Sequence, residues 1–268
     1  MKKMLWIILI VAIVGVGVYF AVTKCGCCKK SEESSCCKKS EECTKNVIVL
    51  FDGTSLDGWR GYNRPDVPAR WVIDDGVLKI NGAGGGEAQK SDGGDLIFDR
   101  KFKNFELSLE WKVSKGANSG IFYLAQEIPD KPIWRSAPEY QVLDNENHID
   151  ATLGVDGNRK SASLYDMLPA KPQNSKPFGE WNTAKLVVFK GTVIHYQNDV
   201  QVVEYHLWTP EWKTMVDNSK FSPNGQFADT YDFMVNIGGE NHEGFIGLQD
   251  HGDDVWFRNI KVKVLDEE

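Results

Sequence analysis

Residues 106–113 set the pattern for most of the chain. Leu107, Leu109, Trp111 and Val113 alternate with Glu106, Ser108, Glu110 and Lys112, the two-residue period of a strand with one face in a core and the other toward water. Further short runs rich in Val, Ile, Phe, Tyr and Trp fall at 76–80, 96–98, 121–125, 139–143, 184–190, 192–197, 201–205, 245–249 and 255–264, bounded by Gly, Pro, Asn and Asp. Such runs read as strands separated by turns. Residues 193–205 read as a hairpin turning on Asn198 and Asp199, two residue types that tolerate the left-handed backbone of a tight turn. Helical signal is confined to a short stretch at 210–217. Many short strands with turns between them predict an all-β sandwich or jelly roll. No internal repeat divides residues 46–268, so they are read as one domain. Long connections at 82–94, 144–163, 169–180 and 218–241 are of a length usually kept for function or disorder.

The first 45 residues follow another logic. Residues 4–23 form a run of 20 without a charge, behind Lys2 and Lys3. As a helix the run reaches ~30 Å, the thickness of a bilayer's hydrocarbon core. Residues 1–24 are therefore expected to be an N-terminal hydrophobic helix, an export signal or a membrane anchor, holding the domain outside the cytoplasm. Lysines flank both ends, so charge does not fix the orientation. All six cysteines lie between Cys25 and Cys43, a stretch in which the unit Cys-Lys-Lys-Ser-Glu-Glu occurs twice, at 28–33 and 37–42. That stretch has no apolar residues with which to build a core, so 25–45 reads as a flexible tether. Disulfides, acylation and metal capture all remain open for its thiols.

Removing those 45 residues leaves 23 basic and 34 acidic side chains, a net charge of −11 on residues 46–268. An acidic domain repels phosphate backbones, which sets nucleic acid aside as a partner. The glycine run at 82–86 lacks the strand-to-helix setting of a phosphate loop, and no Gly-x-Ser-x-Gly or His-Glu-x-x-His motif is present, which argues against common serine hydrolases and zinc proteases.

The motif Leu-Phe-Asp-Gly-Thr-Ser-Leu-Asp-Gly-Trp at 50–59 resembles the opening of the bacterial 3-keto-disaccharide hydrolase domain family. Asn-Ser-Gly-Ile-Phe at 118–122, Glu-Tyr-Gln-Val-Leu-Asp at 139–144, Gly-Glu-Trp-Asn at 179–182, Gln-Asp-His-Gly at 249–252 and Val-Trp-Phe-Arg-Asn-Ile at 255–260 resemble its later landmarks in the same order. The resemblance covers roughly residues 47–265. It implies a concanavalin-like jelly roll, usually exported, that acts on glycosides whose C3 hydroxyl has been oxidised to a ketone. The Cys-rich tether is not part of what the family implies.

A 3-keto sugar has an acidic C2 proton, so a base can form an enolate that expels the glycosidic oxygen from C1, after which water adds back. This needs a base, something to hold the enolate oxygen, and an acid for the leaving group. Glu139 is the first candidate for proton transfer; Gln141, two residues on, shares its face of the strand, which could be the concave, sugar-binding face. Asp144 is five residues from Glu139 and needs a bulge to reach the same site. Because Gln141 cannot ionise, a two-carboxylate glycosidase mechanism is in doubt. His251 lies in the Gln-Asp-His-Gly motif beside Asp250 and suits proton transfer. His148 and Asp150 sit in a loop whose acids, amides and imidazole could bind a divalent cation, or could form a solvated turn. Tyr165 could bind or stack on a sugar, Trp256 could stack, and Glu110 could join Glu139 if their strands share a sheet. Arg258 is expected partly buried with a carboxylate partner, as a sugar-binding group or a structural ion pair. Trp111, Trp181 and His195 read as packing residues. A non-catalytic carbohydrate-binding module on the same scaffold is the alternative reading, and an adhesion or scaffolding domain a third.

Overall fold

The computed structural model describes residues 46–82 and 92–266. The hydrophobic segment at 1–24, the tether at 25–45 and most of the glycine-rich loop lie outside the described residues. Among those described, no helix is long and apolar enough to cross a membrane.

Among the described residues, thirteen strands build two antiparallel sheets. The larger sheet holds β1 (Val47–Phe51), β3 (Trp71–Asp74), β4 (Val77–Ile80), β6 (Phe105–Val113), β9 (Asn182–Phe189), β10 (Thr192–Gln197), β11 (Val200–His206) and β13 (Val255–Val264). They lie in the order β11-β10-β9-β6-β13-β4-β3, with β1 also paired to β13. The smaller sheet holds β2 (Trp59–Gly61), β5 (Leu96–Phe102), β7 (Asn118–Ala125), β8 (Glu139–Leu143) and β12 (Gly244–Leu248), in the order β2-β5-β12-β7-β8. This is the all-β jelly-roll sandwich that the alternating pattern predicts. Strands β1, β2 and β3 were not anticipated, the last two because three or four residues carry too little alternation to be recognised.

The inner face of β6 works as expected: Leu107, Leu109, Trp111 and Val113 are all buried in the main core, with Phe257 and Ile260 of β13 beside them. Each such side chain removed from water contributes roughly 1.5–3 kcal/mol. The β10–β11 hairpin turns on Asn198 (φ 48°) and Asp199 (φ 64°), both left-handed as a two-residue turn demands. The helix Pro210–Asp217 also forms where expected, capped by Thr209, whose side chain accepts from the Trp212 amide, and with proline in its first turn.

One departure redirects side chains. The pairing of β13 with β6 shifts register between Arg258 and Lys261, where Asn259 takes φ 55°. This bulge lets Trp256 and Arg258 point outward while Ile260 and Val262 turn into the core. Regular alternation would have put all four on one face.

The two sheets differ in how their outer faces are covered. Every residue of β7, β8 and β12 is buried. Tyr140 and Val142 of β8 join the main core, so Glu139 and Gln141 point the other way. On that outer side lies a second apolar cluster of Tyr62, Ile97, Phe122, Ala125, Ile133, Ala137 and Phe245. Long loops therefore cover the smaller sheet, and polar groups lie beneath them.

Candidate active site

Glu139 is 8 % exposed, at the start of β8. The neighbouring strand offers Gly120 directly opposite Gln141. A β-carbon built on Gly120 would overlap the Glu139 carboxyl; only glycine lets the carboxylate lie across the sheet here. Gln249 is tied to the same strand, its backbone N–H donating to the Gly120 carbonyl at 2.9 Å.

Three amides around this point are incompletely bonded. Gln141 is fully buried; its Oε1 accepts from the Val142 amide at 3.0 Å, while Nε2 has no partner. Asn118 Oδ1 and Gln249 Oε1 are likewise buried without one. An unmade bond at a buried amide costs about 1–3 kcal/mol, so such groups await a ligand or water.

A strap of chain holds further residues against β8. The Ala162 amide donates to Gln141 O at 2.8 Å, the Gln141 amide to Ser163 O at 3.2 Å, and the Tyr165 amide to Glu139 O at 3.1 Å. Tyr165 is thereby fixed beside Glu139. Its hydroxyl donates to Asp150 Oδ2 at 2.8 Å, and burial followed by the nearby Glu139 and Asp150 charges raises its pKa. Arg159 binds Asp150 Oδ1 at 3.2 Å and Asp166 at 2.6 Å. On its other side Glu139 meets a wall: the crevice it shares with Trp134, Tyr165 and Phe221 encloses about 10 Å³, room for one water at most.

His148 caps the turn Ile149–Thr152, its Nδ1 accepting from the Asp150 amide at 3.1 Å. The neutral ring therefore carries its proton on Nε2. Burial lowers its pKa, opposed by the negative charge of Asp150 and aided by His251. His251 stands edge-on to it, ring centroids 6.2 Å apart. Its loop is moored by the Asn118 amide donating to Asp253 (2.9 Å) and by Asp250, which accepts from the Gly94 and Gly252 amides at 3.0 Å each. Burial raises the Asp250 pKa, and nothing in its bonding suggests a role beyond anchoring.

Glu139, Gln141, Tyr165, His148, Asp150 and His251 thus all belong to the covered side of the smaller sheet and its adjoining loops. Other expectations need correction. Asp144 accepts from the Gly116 amide (2.7 Å), Asn147 Nδ2 (2.8 Å) and the Glu146 amide (3.1 Å). A carboxylate so fully engaged clasps its own loop and is poorly placed to take a proton. The metal expectation for His148 and Asp150 gains no support, each Asp150 oxygen being bonded already, one to Arg159 and the other to Tyr165. Among the described residues, no group of three His, Cys, Asp or Glu side chains is arranged to hold a metal ion.

Glu110, Trp256 and Arg258 are not in this site. They sit on the outer face of the larger sheet, where Arg258 Nη2 binds Glu110 Oε2 at 2.6 Å and Asn259 Nδ2 binds Oε1 at 2.6 Å. Lys112 lies 4.5 Å over Trp256, and Arg258 lies 4.0 Å over Trp181. Trp181 is therefore half-buried under a cation on the surface, not part of the core. His195 is the satisfied structural histidine expected, fully buried with Nδ1 donating to Ala162 O (2.9 Å) and Nε2 accepting from Tyr123 (2.9 Å). Sequence reasoning missed Asn118, Gln249 and Arg159. The first two lie inside motifs already singled out, and their amide chemistry was the available signal.

The two-sheet sandwich thus gathers a buried carboxylate, open amides and paired imidazoles under its loops, groups able to transfer protons and to hydrogen-bond a ligand. The chain belongs to the family of 3-keto-α-glucoside-1,2-lyase-like domains, whose model matches residues 46–263, and so to a family of glycoside-cleaving enzymes. It is 64 % identical over 228 residues to the 3-keto-disaccharide hydrolase of Bacteroides thetaiotaomicron, covering 82 % of this chain and 78 % of that one. Among solved structures it resembles a putative glycosyl hydrolase from Parabacteroides distasonis (TM-score 0.69, 27 % identity, 84 % of this chain and 97 % of that one). A second protein so described from the same organism superposes with TM-score 0.58 at 25 % identity, over 82 % and 99 % of the two chains.

Proposed function

We propose that this chain cleaves 3-keto-glycosides by elimination followed by hydration, with Glu139 as the base. One observation carries the reading: the Glu139 carboxylate lies over Gly120, next to Gln141, whose buried Nε2 lacks an acceptor. A base and an open N–H donor two residues apart on one strand face match the two adjacent sugar carbons that must react.

Glu139 takes the proton from C2, and the C–H electron pair forms the C2–C3 enolate, whose oxygen accepts from Gln141 Nε2. The enolate collapses back to the ketone as C1–C2 becomes double and the C1–O bond breaks. The departing oxygen takes a proton, a role we assign to the His148–His251 pair. Water then adds at C1, C2 regains a proton, and the net result is hydrolysis. Tyr165 and Arg159 hold the strap that closes this site.

Incubation with a 3-keto disaccharide and with its unoxidised parent in deuterated water, with and without chelator, tests the scheme. Cleavage of the keto sugar alone, with deuterium at C2 of the product, is expected. Cleavage of both sugars, or of the keto sugar without C2 exchange, contradicts elimination. Binding of both without cleavage would return the binding-module reading.

We also propose that the domain works outside the cytoplasm, exported or held at the membrane by residues 1–24. The support is the uncharged 20-residue run at 4–23. Recovery of the protein in the soluble cytoplasmic fraction would contradict this.

A further inference from the structure

The outer face of the larger sheet carries a groove of about 470 Å³ that plays no part in the scheme above. That volume falls within the range of small-molecule sites. Its floor is set by register: Lys261 of β13 lies opposite Ser108 of β6, Ser108 opposite Lys185 of β9, and Lys185 opposite Tyr196 of β10. Neighbouring strands are about 4.8 Å apart, so the two lysines stand roughly 10 Å apart with a small hydroxyl between them. Long flexible side chains at that spacing converge on a single anion placed over Ser108.

The charges favour an acid ligand. Among the described residues, neither Lys185 nor Lys261 has a carboxylate oxygen within 4 Å, although the domain as a whole is strongly acidic. Glu110, at the groove's edge, is already committed to Arg258 and Asn259; Asp199 at the rim is the opposing charge. Beside the cations, Thr183 and Asn259 offer hydrogen bonds to hydroxyls, and Tyr196 gives a ring with Lys185 Nζ 4.0 Å from its centroid.

We propose that this groove is a second saccharide site, separate from the reaction site, that takes a sugar bearing a carboxylate or sulfate group. Lys185 and Lys261 bind the acid group over Ser108, and Thr183, Tyr196 and Asn259 bind the ring and its hydroxyls. The choice of a sugar to carry the acid rests on the proposed function; the anion-binding pair of lysines does not.

Equilibrium binding to the full-length protein would use glucuronic acid, glucose 6-sulfate, glucose and inorganic sulfate as probes. The acidic sugars are expected to bind about tenfold or more tightly than glucose or free sulfate. The double variant Lys185→Gln/Lys261→Gln should lose that preference while cleaving a 3-keto disaccharide at the wild-type rate, and Glu139→Gln should keep it. Which acidic sugar binds more tightly tells a carboxylate site from a sulfate site. Equal binding of glucose and its acidic derivatives overturns the proposal, as does full retention of binding in the double lysine variant. Sulfate binding as tightly as the sugars would leave an anion patch without a saccharide site. Loss of acidic-sugar binding in Glu139→Gln would place the ligand in the reaction site instead, a result independent of whether that site is catalytic.

Discussion

On the larger sheet Glu110 shares its carboxylate between Arg258 and Asn259 at the surface, its side chain a quarter exposed. On the smaller sheet Glu139 lies under loops at 8 % exposure, over a glycine and beside an amide with an open donor. Both are acidic residues on the outward faces of strands, and sequence alone treats them alike. Cover makes the difference. Water screens a surface pair to a small net energy, whereas burial strengthens each electrostatic contact and makes each unmade bond costly. The covered face can therefore hold a base and its partners in fixed positions, while the open face is suited to exchange with solutes.

Loss of the proposed base should separate the two faces most sharply. Glu139→Gln keeps the shape of the side chain and is expected to lower kcat about a hundred- to ten-thousandfold, with little change in melting temperature. Steady-state kinetics on a 3-keto disaccharide measures this; a variant within threefold of wild type would remove Glu139 from the mechanism.

His195 connects the faces, because it belongs to the larger sheet and donates to Ala162 in the strap over the smaller one. Burial lowers its pKa from 6.5 to about 4, opposed by the Ala162 hydrogen bond. A depressed histidine binds its proton more weakly folded than unfolded. Its contribution is therefore fully present above pH 6.5 and lost as pH falls through the interval down to about 4. That loss amounts to about 3 kcal/mol. Urea denaturation across this range should show the slope in the wild type and a flatter profile in His195→Leu, which starts from lower stability at pH 7. Parallel profiles would mean that the imidazole titrates normally.

Tyr165→Phe tests the strap from the other end. Removing the hydroxyl leaves Asp150 with Arg159 as its remaining charged partner, and turnover should fall about tenfold, a typical cost for a hydrogen bond to a charge. An unchanged kcat would reduce Tyr165 to packing.

Most of the strands, the hairpin, the helix Pro210–Asp217 and the shared face of Glu139 and Gln141 were legible because each depends on residues close in sequence. Which sheet a strand joins does not. Glu106–Val113 and Glu139–Leu143 carry similar signals, yet β6 and β8 lie in different sheets, and this separated Glu110 from Glu139. The bulge at Asn259 was likewise hidden, since one extra residue resets a period of two without altering composition. Tyr165 meets Asp150 only because the 144–168 segment folds back along β8, a tertiary event with no local signature. Asp144 looked like a catalytic acid because a strand-end carboxylate can serve either chemistry or loop closure; the three donors around it decide for closure.

The smallest expected effect tests the open face. Burial tends to raise the Glu110 pKa, but hydrogen bonds from Arg258 and Asn259 outweigh it and hold the group below its ordinary value of 4.5. The pair's contribution is thus present above pH 4.5 and lost as pH falls through the lower folded value. With Arg258 37 % and Glu110 25 % exposed, Glu110→Gln should cost no more than about 1 kcal/mol at pH 7. It should leave kcat/KM for the keto sugar unchanged, because no described contact links it to the Glu139 cluster. A fall in kcat/KM of tenfold or more in a variant that melts normally would return Glu110 to the substrate and dissolve the distinction between the two faces.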